Sequence, residues 1–207
     1  MEYPSKRLPR EGKVDVNDDK VIYYFTNYYQ WDKVKDLPRD DPKRECSERI
    51  YNLSKKGYRD YYGYFATCIM PHFKDFEGAE WLVCTVPGHS QTQKTSNNMD
   101  IFLSNVCFPK NIKPVVGTIV RNKVMPEKHG KDYGPRTVEK DLETFTGDTR
   151  NIIDRNFIIF DDITTSGSSL EAARRFLKRR GANKVVCIAL GKTVEDPYYG
   201  RDISYMF

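Results

Sequence analysis

The sequence lacks long apolar runs. The longest, residues 157–160 and 185–190, fall far short of the roughly 20 residues that a membrane-spanning helix needs. The N-terminal stretch contains charges and prolines but not the apolar segment at the centre of a secretory signal. We therefore expect a cytoplasmic protein that makes no membrane contact.

Metal-binding signatures are missing as well. The chain has five cysteines and three histidines, but no Cys-x-x-Cys pair, and no histidine lies at ligand spacing from a cysteine. Because the cysteines are odd in number and mostly have apolar neighbours, we expect reduced thiols and no structural zinc site.

What is present is typical of a globular domain. The chain has 207 residues, of which 39% are hydrophobic and 30% charged, which excludes collagen-like, low-complexity and fully disordered classes. The net charge is +5, and residues 1–80 carry 15 basic and 15 acidic residues, so the whole excess lies in the C-terminal part. A basic half suits a polyphosphate substrate or a nucleic acid, and composition does not distinguish them.

The hydrophobic pattern alternates between strands and helices. It predicts strands at 21–26, 81–86, 115–120 and 184–190, and helices at 42–56 and 98–108. Alternation of strand and helix from residue 81 onward predicts an α/β fold with a parallel sheet flanked by helices. In such a fold the ligand site lies beyond the carboxyl ends of the strands.

The predicted domain organisation is simple. We expect residues 1–20 to be a loose lead-in and residues 21–207 to form a single domain. Within it, residues 21–78 would be a variable, hood-like part and residues 79–207 the core.

The segment with the clearest chemistry is residues 156–170 (NFIIFDDITTSGSSL). Its strand places Asp161 and Asp162 near the carboxyl end, where buried carboxylates need hydrogen-bond donors such as ribose hydroxyls. The following loop offers hydroxyls, a glycine and backbone N–H groups at a helix N-terminus, which together suit an anion. The loop comprises Thr164, Thr165, Ser166, Gly167, Ser168 and Ser169. The segment therefore predicts that a phosphate and a sugar diol bind at one site.

Two other phosphate-binding motifs are absent. The chain has neither the Gly-Lys-Ser/Thr of a Walker loop nor the GxGxxG of a dinucleotide-binding fold. The alternative is a capped strand, turn and helix in which the acids are incidental.

The same segment resembles the signature of the type I phosphoribosyltransferases: four apolar residues, two acids, an apolar residue and a Thr/Ser/Gly loop. The resemblance implies that Asp161 and Asp162 are the catalytic pair, holding the 2- and 3-hydroxyls of phosphoribosyl pyrophosphate (PRPP), and that the loop holds its 5-phosphate. It also implies Mg²⁺ bound through the pyrophosphate, without an all-protein metal site.

Residues 80–192 are similar in order to the ComF-like branch of that family, although the zinc-binding N-terminus of the branch has no counterpart here. The resemblance implies a pyrophosphate loop formed by Pro87, Gly88, His89 and Ser90. Asn97 would match the asparagine of the Arg-Gly-Phe-Asn motif of the branch, whose arginine and glycine are missing. Lys94 would replace the missing charge.

A lid over the site is also implied by the family. Residues 122–134 contain two glycines and three lysines, and such a loop would exclude water from an oxocarbenium-like sugar. Lid or other basic contacts are expected from Arg121, Lys123, Lys128 and Arg136.

Several single residues have two interpretations. His89 suits either a phosphate contact or an ordinary surface position. The helix after the loop carries Arg174, Arg175, Lys178, Arg179 and Arg180, which suit a nucleic acid or an acidic partner, although a solvated face is favoured. Tyr58, Tyr61, Tyr62 and Tyr64 suit a base-stacking hood, although core packing is favoured.

Together with this resemblance, the sequence predicts a Mg²⁺-dependent phosphoribosyltransferase that transfers phosphoribosyl from PRPP to a base or amine and releases pyrophosphate, or a nucleotide-sugar hydrolase of the same design. The alternative is a regulator or effector that binds PRPP or a nucleotide without turnover. A third interpretation is an effector that acts with nucleic acid. A homo-oligomer or hetero-complex is expected.

Overall fold

The computed structural model describes residues 2–88, 97–123 and 137–194. Its strands are β1 (Ser5–Arg7), β2 (Ile22–Tyr29), β3 (Trp81–Thr85), β4 (Ile112–Pro114), β5 (Val120–Arg121), β6 (Phe145–Thr146), β7 (Asn156–Thr164) and β8 (Val185–Val194). Its α-helices are α1 (Trp31–Val34), α2 (Pro42–Tyr51), α3 (Tyr62–Ile69), α4 (Asn98–Ser104), α5 (Val138–Leu142) and α6 (Ser168–Arg179).

Six strands form one sheet in the order β1-β2-β8-β7-β3-β4, and every neighbouring pair is parallel. Strands β5 and β6 form a separate antiparallel pair. Parallel strands require crossover connections, so helices lie against the sheet and the carboxyl ends of its strands meet at one edge. The predicted α/β fold with a parallel sheet flanked by helices is confirmed.

Side chains of the central strands alternate between two cores. In β7, Phe157 and Ile159 belong to a core that includes Phe176 of α6, which we call the α6-side core. Ile158 and Phe160 belong to the opposite core, which includes Ile50 of α2 and is called the α2-side core. Burial on both faces explains why these strands read as continuous apolar runs.

Helix α2 begins and ends where its sequence indicates. Asp41 caps it, because its side chain accepts a hydrogen bond from the N–H of Lys43 at 2.8 Å, and Pro42 occupies the first turn. A π-helical turn, Asn52–Lys56, continues the helix to Gly57, which has φ +69° and ends it. The predicted helix 42–56 is therefore present, with its last five residues in the wider π geometry.

The N-terminal segment differs from the prediction of a loose lead-in for residues 1–20. Strand β1 lies at the edge of the sheet, and Ser5 to Arg7 pair with Ile22 to Tyr24. Leu8 follows the strand and is buried in the α2-side core. The polar sequence Ser-Lys-Arg shows no apolar alternation because an edge strand of three residues buries little side-chain surface.

Two further boundaries are corrected. The strand predicted at 115–120 does not form; β4 ends at Pro114, and Gly117 turns the chain with φ +73° before β5. The helix predicted at 98–108 ends at Ser104, where Asn105 follows as the C-terminal cap and its side chain donates to the carbonyl of Ile101 at 2.7 Å.

Candidate functional site

The two acids lie within β7 rather than after it, because the strand extends to Thr164. Each carboxylate accepts a hydrogen bond from the next N–H along the chain: Asp161 from Asp162 at 3.0 Å and Asp162 from Ile163 at 2.7 Å. Successive side chains of a strand point to opposite faces, so the two carboxylates diverge. The pair predicted as one unit is therefore divided between the two sides of the sheet.

Asp161 shares a pocket with the loop that follows the strand. The pocket is lined by Asp161, Ile163, Thr164, Thr165, Ser166, Gly167, Ser168, Ser169 and Leu170. The structure thus brings together the first acid and all six loop residues that the sequence singled out.

Asp162 faces the other side. Its carboxylate lies 3.6 Å from the ammonium of Lys55, which belongs to the π-helical turn after α2. Tyr28, at the end of β2, is also on this side; burial raises the pKa of its hydroxyl, and the charge of Asp162 raises it further. Asp162 therefore connects the sheet edge to the N-terminal part of the chain.

The geometry of the loop suits an anion. Gly167 has φ +84° and stands at the N-terminal cap of α6, a helix of twelve residues, without a side-chain cap. The hydroxyls of Ser166 and Ser168 lie 2.8 Å apart, and that of Thr165 lies 2.9 Å from the hydroxyl of Thr193. The first-turn N–H groups of a helix and its positive dipole end favour a negatively charged ligand.

The N-terminal segment packs against the back of this loop, which no sequence signal indicated. The N–H of Tyr3 donates to the carbonyl of Ser166 at 3.0 Å. The ammonium of Lys192 contacts the hydroxyl of Ser5 at 2.6 Å and the carboxylate of Glu2 at 2.5 Å. Residues 2–5 therefore help to fix the loop, although they are far from it in sequence.

Arg121 is the least expected residue of the site, because its side chain is completely buried. One guanidinium nitrogen donates to Asp141 at 2.8 Å, and another donates to the hydroxyl of Thr144. Nε donates to the carbonyls of Gly88 at 3.1 Å and Pro87 at 3.3 Å. Within the described residues, the partners of Arg121 are groups of the protein itself, which corrects the ligand contact predicted for it.

The same cluster extends to the loop at the start of α6. The second carboxylate oxygen of Asp141 lies 3.4 Å from the hydroxyl of Ser169. The guanidinium also lies 4.6 Å from the centre of the Phe145 ring, within the range of a cation–π contact. One buried ion pair thus contacts both the turn after β3 and the candidate phosphate loop.

Only part of the predicted pyrophosphate loop can be placed. Pro87 and Gly88 follow β3, whereas His89, Ser90 and Lys94 lie outside the described residues. Asn97 caps α4: its side chain accepts from the N–H of Asp100 at 2.8 Å, and the carboxylate of Asp100 accepts from the N–H of Asn97 at 3.0 Å. Asn97, which resembles the asparagine of the family's pyrophosphate motif, thus forms a capping box at the start of α4.

The lid prediction is mostly outside the described residues. Residues 124–136, which include Lys128 and Arg136, are not described, while Lys123 lies at the end of the second described range. The lid and its basic contacts stay predictions.

The basic helix α6 is paired with acids of the chain itself. Glu171 accepts hydrogen bonds from Arg174 at 2.6 Å and from Arg175 at 2.5 Å. Burial opposes ionisation of Glu171, but these two hydrogen bonds outweigh it and lower its pKa. Asp19 lies 3.5 Å from Arg174 and 3.8 Å from Lys178. Much of the positive charge of α6 is therefore balanced within the protein.

The tyrosine cluster mainly packs. Tyr61, Tyr62 and Tyr64 are half-buried against the α2-side core, and Tyr62 makes an edge contact with Phe102. Tyr58 is 52% exposed and is the member of the cluster that a ligand could reach. The structure thus favours packing for three of the four.

The described residues contain neither a membrane-spanning helix nor a cluster of metal ligands. No helix in residues 2–88, 97–123 or 137–194 has the length and hydrophobicity to cross a membrane. Within the same residues, no group of three or more histidine, cysteine or acidic side chains could hold a metal ion.

The chain resembles known proteins only weakly. No family model and no curated protein matches it. Among solved structures, one similar chain is a hypoxanthine phosphoribosyltransferase from Staphylococcus aureus, with 14% identity, coverage of 72% of this chain and 74% of that chain, and a TM-score of 0.38. At this identity and TM-score the likeness carries no information about activity.

Proposed function

We propose that this protein binds PRPP, or a related ribose 5-phosphate nucleotide, in the pocket between Asp161 and the loop 164–169. The supporting observation is that one pocket contains both a carboxylate and the N-terminus of α6. A carboxylate accepts hydrogen bonds from sugar hydroxyls, and a helix N-terminus binds phosphate. Ribose 5-phosphate carries both groups in one small molecule.

The proposed reaction is transfer of the phosphoribosyl group to a base or amine. The bond from C1 of the ribose to pyrophosphate breaks, a bond from C1 to the acceptor nitrogen forms, and that nitrogen loses a proton. Such a reaction needs fixed charges rather than a protein nucleophile, because the transition state resembles a sugar cation. Asp161 would orient the ribose hydroxyls from within the pocket, and the loop would anchor the 5-phosphate.

The residues present fit Mg²⁺ brought in with the substrate. Mg²⁺ usually keeps several waters and binds through one or two carboxylates together with substrate phosphates. The site offers Asp161 beside the phosphate loop, which matches this mode. When bound, the ion would supply stabilisation of the negative charge on departing pyrophosphate.

A second candidate function is a regulator or effector that binds PRPP or a nucleotide without turnover. It is favoured by the capping box at Asn97, because both partners of that box are committed to starting α4. A catalytic pyrophosphate grip would have to come from other residues. Of the predicted pyrophosphate loop, the described residues include Pro87 and Gly88.

Action through nucleic acid has less support. Arg174, Arg175 and Lys178 have acidic partners within the chain, which leaves less charge for phosphate contacts. Binding of DNA or RNA that weakens with added salt would support it. Assembly with a second copy or another protein stays a prediction.

Titration calorimetry with PRPP and Mg²⁺ tests the binding proposal, and pyrophosphate release in the presence of bases and amines tests turnover. The Asp161→Asn variant should weaken PRPP binding, while Asp148→Asn is a matched control at an exposed acid paired with Arg150. Binding with pyrophosphate release supports the transferase, and binding without it supports the regulator. Absence of binding by the unaltered protein would reject both.

A further inference from the structure

We propose that this protein has a second ligand site, which takes a small molecule with an apolar body and one carboxylate group. The site is a cavity beside β3, on the α6-side face of the sheet. Arg155, which lines the cavity, immediately precedes β7, whereas Asp161 lies six residues further along the chain. An extended strand rises about 3.3 Å per residue, so roughly 20 Å separates this arginine from the pocket of the proposed function.

The cavity forms where irregular segments meet the sheet. Helix α6 packs against β7 and β8. Leu82 of β3 lines the cavity together with residues of the loop 115–118 and of the segment 148–151. Ile119 and Ile152 directly follow these two segments and anchor them, because both are buried in the α6-side core. A volume of about 350 Å³ is enclosed, within the range of roughly 300–1,000 Å³ that is typical of small-molecule sites.

Three of the lining side chains are apolar: Leu82, Val115 and Val116. The N–H of Val115 donates to the carbonyl of Val83 at 2.8 Å, which fixes the start of the loop against β3. Val116 is 51% exposed, although burial of its side chain would be favourable. The apolar body of a ligand in the cavity would remove this surface from water.

The polar lining groups are suited to a carboxylate. Thr118 contributes a hydroxyl, Asn151 an amide and Arg155 a guanidinium. A guanidinium matches the two oxygens of a carboxylate with two parallel N–H groups, and the hydroxyl and the amide can donate as well. One arginine balances the single charge of a carboxylate. The lining therefore combines an apolar surface with one cation.

Nearby acids do not cancel the charge of Arg155, because each has another cationic partner. Asp148 also lines the cavity, but its carboxylate accepts a hydrogen bond of 2.8 Å from the guanidinium of Arg150. Lys113 lowers the pKa of Glu80 most strongly, through a hydrogen bond of 2.7 Å, and Arg155 contributes less. Arg155 thus leaves a positive charge in the cavity for a ligand.

The test compares three probes by calorimetry on the full-length protein: 2-naphthoate, its uncharged amide 2-naphthamide, and acetate. Naphthoate should bind with a Kd below about 1 mM, as a ligand of its size can in a formed pocket. Naphthamide should bind about fivefold more weakly because it lacks the charge, and acetate should give no measurable heat because it lacks the apolar body. No binding of naphthoate, or equal affinity for naphthoate and naphthamide, would overturn the proposal.

Substitutions then locate the probe. Arg155→Gln should remove the preference for naphthoate over naphthamide, whereas Arg179→Gln, the same change at an exposed position of α6, should keep it. Val116→Ser should weaken both aromatic probes about equally. An unchanged preference in Arg155→Gln, or unchanged affinities in Val116→Ser, would overturn the proposal.

The outcome is independent of the proposed function. Ribose 5-phosphate should not compete with naphthoate, because the two pockets share no lining residue. Competition would place naphthoate in the phosphate pocket and would overturn the second site. If ribose 5-phosphate does not bind but naphthoate does, with the effects described for Arg155→Gln, the proposed function fails and the second site stands.

Discussion

The backbone N–H of Tyr3 donates a hydrogen bond to the carbonyl of Ser166, so the beginning of the chain is fastened to the candidate phosphate loop. The carbonyl of Pro4 accepts from the N–H of Ile22 at 2.9 Å and holds the segment against β2. A ligand-binding loop of small polar residues buries little surface of its own, so its conformation depends on contacts with neighbouring segments.

Removal of residues 2–4 should therefore weaken binding of ribose 5-phosphate more than it weakens the fold. Strand β1 is retained, but the contact to Ser166 is lost and the loop samples other conformations. We expect a three- to tenfold loss of affinity, or roughly 0.7–1.4 kcal/mol, by calorimetry.

Glu2→Gln is the control, because it removes only the ion pair of an exposed carboxylate with Lys192. Its affinity should match that of the unaltered protein. Equal affinity in the truncated protein would show that the loop holds its shape without the N-terminal segment.

Gly167 should tolerate no side chain. A Cβ at this position would lie 2.5 Å from Cδ1 of Ile22 and 3.2 Å from Cβ of Tyr3, and φ is +84°. Gly167→Val should thus displace the loop and abolish binding of the 5-phosphate ligand, and Gly167→Ala should cost at least 1–2 kcal/mol of stability from backbone strain alone.

Gly63→Ala is the matched substitution within α3, where a Cβ would meet nothing within 4 Å. It should raise stability by about 0.5–1 kcal/mol and leave affinity unchanged. Thermal melts measure the first effect and calorimetry the second. Full binding by Gly167→Val would move the phosphate site elsewhere.

The sequence was sufficient for the parts of this arrangement that repeat a local pattern. Burial of β7 and β8 on both faces leaves an apolar run, and the cap at Asp41 and the glycine at position 57 mark the limits of a helix. The phosphate loop could also be predicted from a local pattern, because its small residues lie between an apolar strand and an amphipathic helix.

The parts that could not be predicted depend on contacts between distant residues. Arg121 and Asp141 are twenty positions apart, and neither shows in its own neighbourhood that it is buried. Strand β1 consists of polar residues whose pairing depends on β2. The division of Asp161 from Asp162 followed from strand alternation, but only once the strand was known to continue to Thr164.

That division gives a prediction for single substitutions of the two acids. Asp161→Asn should weaken ligand binding roughly 10- to 100-fold, because hydrogen bonds to a charged group contribute about 1.5–3 kcal/mol and Asp161 lines the pocket. Asp162→Asn should have a smaller effect on the ribose 5-phosphate affinity, since its carboxylate faces Lys55.

Lys55→Met provides the comparison for Asp162. It removes the partner but not the carboxylate, and because Lys55 is 58% exposed the stability should change by less than about 1 kcal/mol. Calorimetry on Asp161→Asn, Asp162→Asn and Lys55→Met would rank their effects on the affinity for ribose 5-phosphate. Equal losses from Asp161→Asn and Asp162→Asn would mean that both carboxylates reach the ligand despite their divergence.

The final prediction concerns pH and His72, which lies beneath the N-terminal segment. Its side chain is 2% exposed, and the polar groups that act on its ring include the backbone of Gly12 and the carboxylate of Asp75. Burial lowers the pKa of His72 from its ordinary value of 6.5, although the nearby carboxylate of Asp75, 3.8 Å from Nδ1, opposes the shift. The folded protein therefore holds this imidazole neutral at a pH where the unfolded chain already binds a proton.

The sign follows from proton linkage. Below pH 6.5 the unfolded state takes up a proton that the folded state resists, so the free energy of unfolding should fall as the pH drops through 6.5 towards the lowered pKa of the folded state. Urea unfolding from pH 7.5 to 5.5 would measure this for the unaltered protein and for His72→Phe, whose ring can pack against Phe25. The variant should lose part of the pH dependence, because other titrating groups are common to both proteins. Parallel stability curves would show that His72 accepts its proton equally well in the folded state.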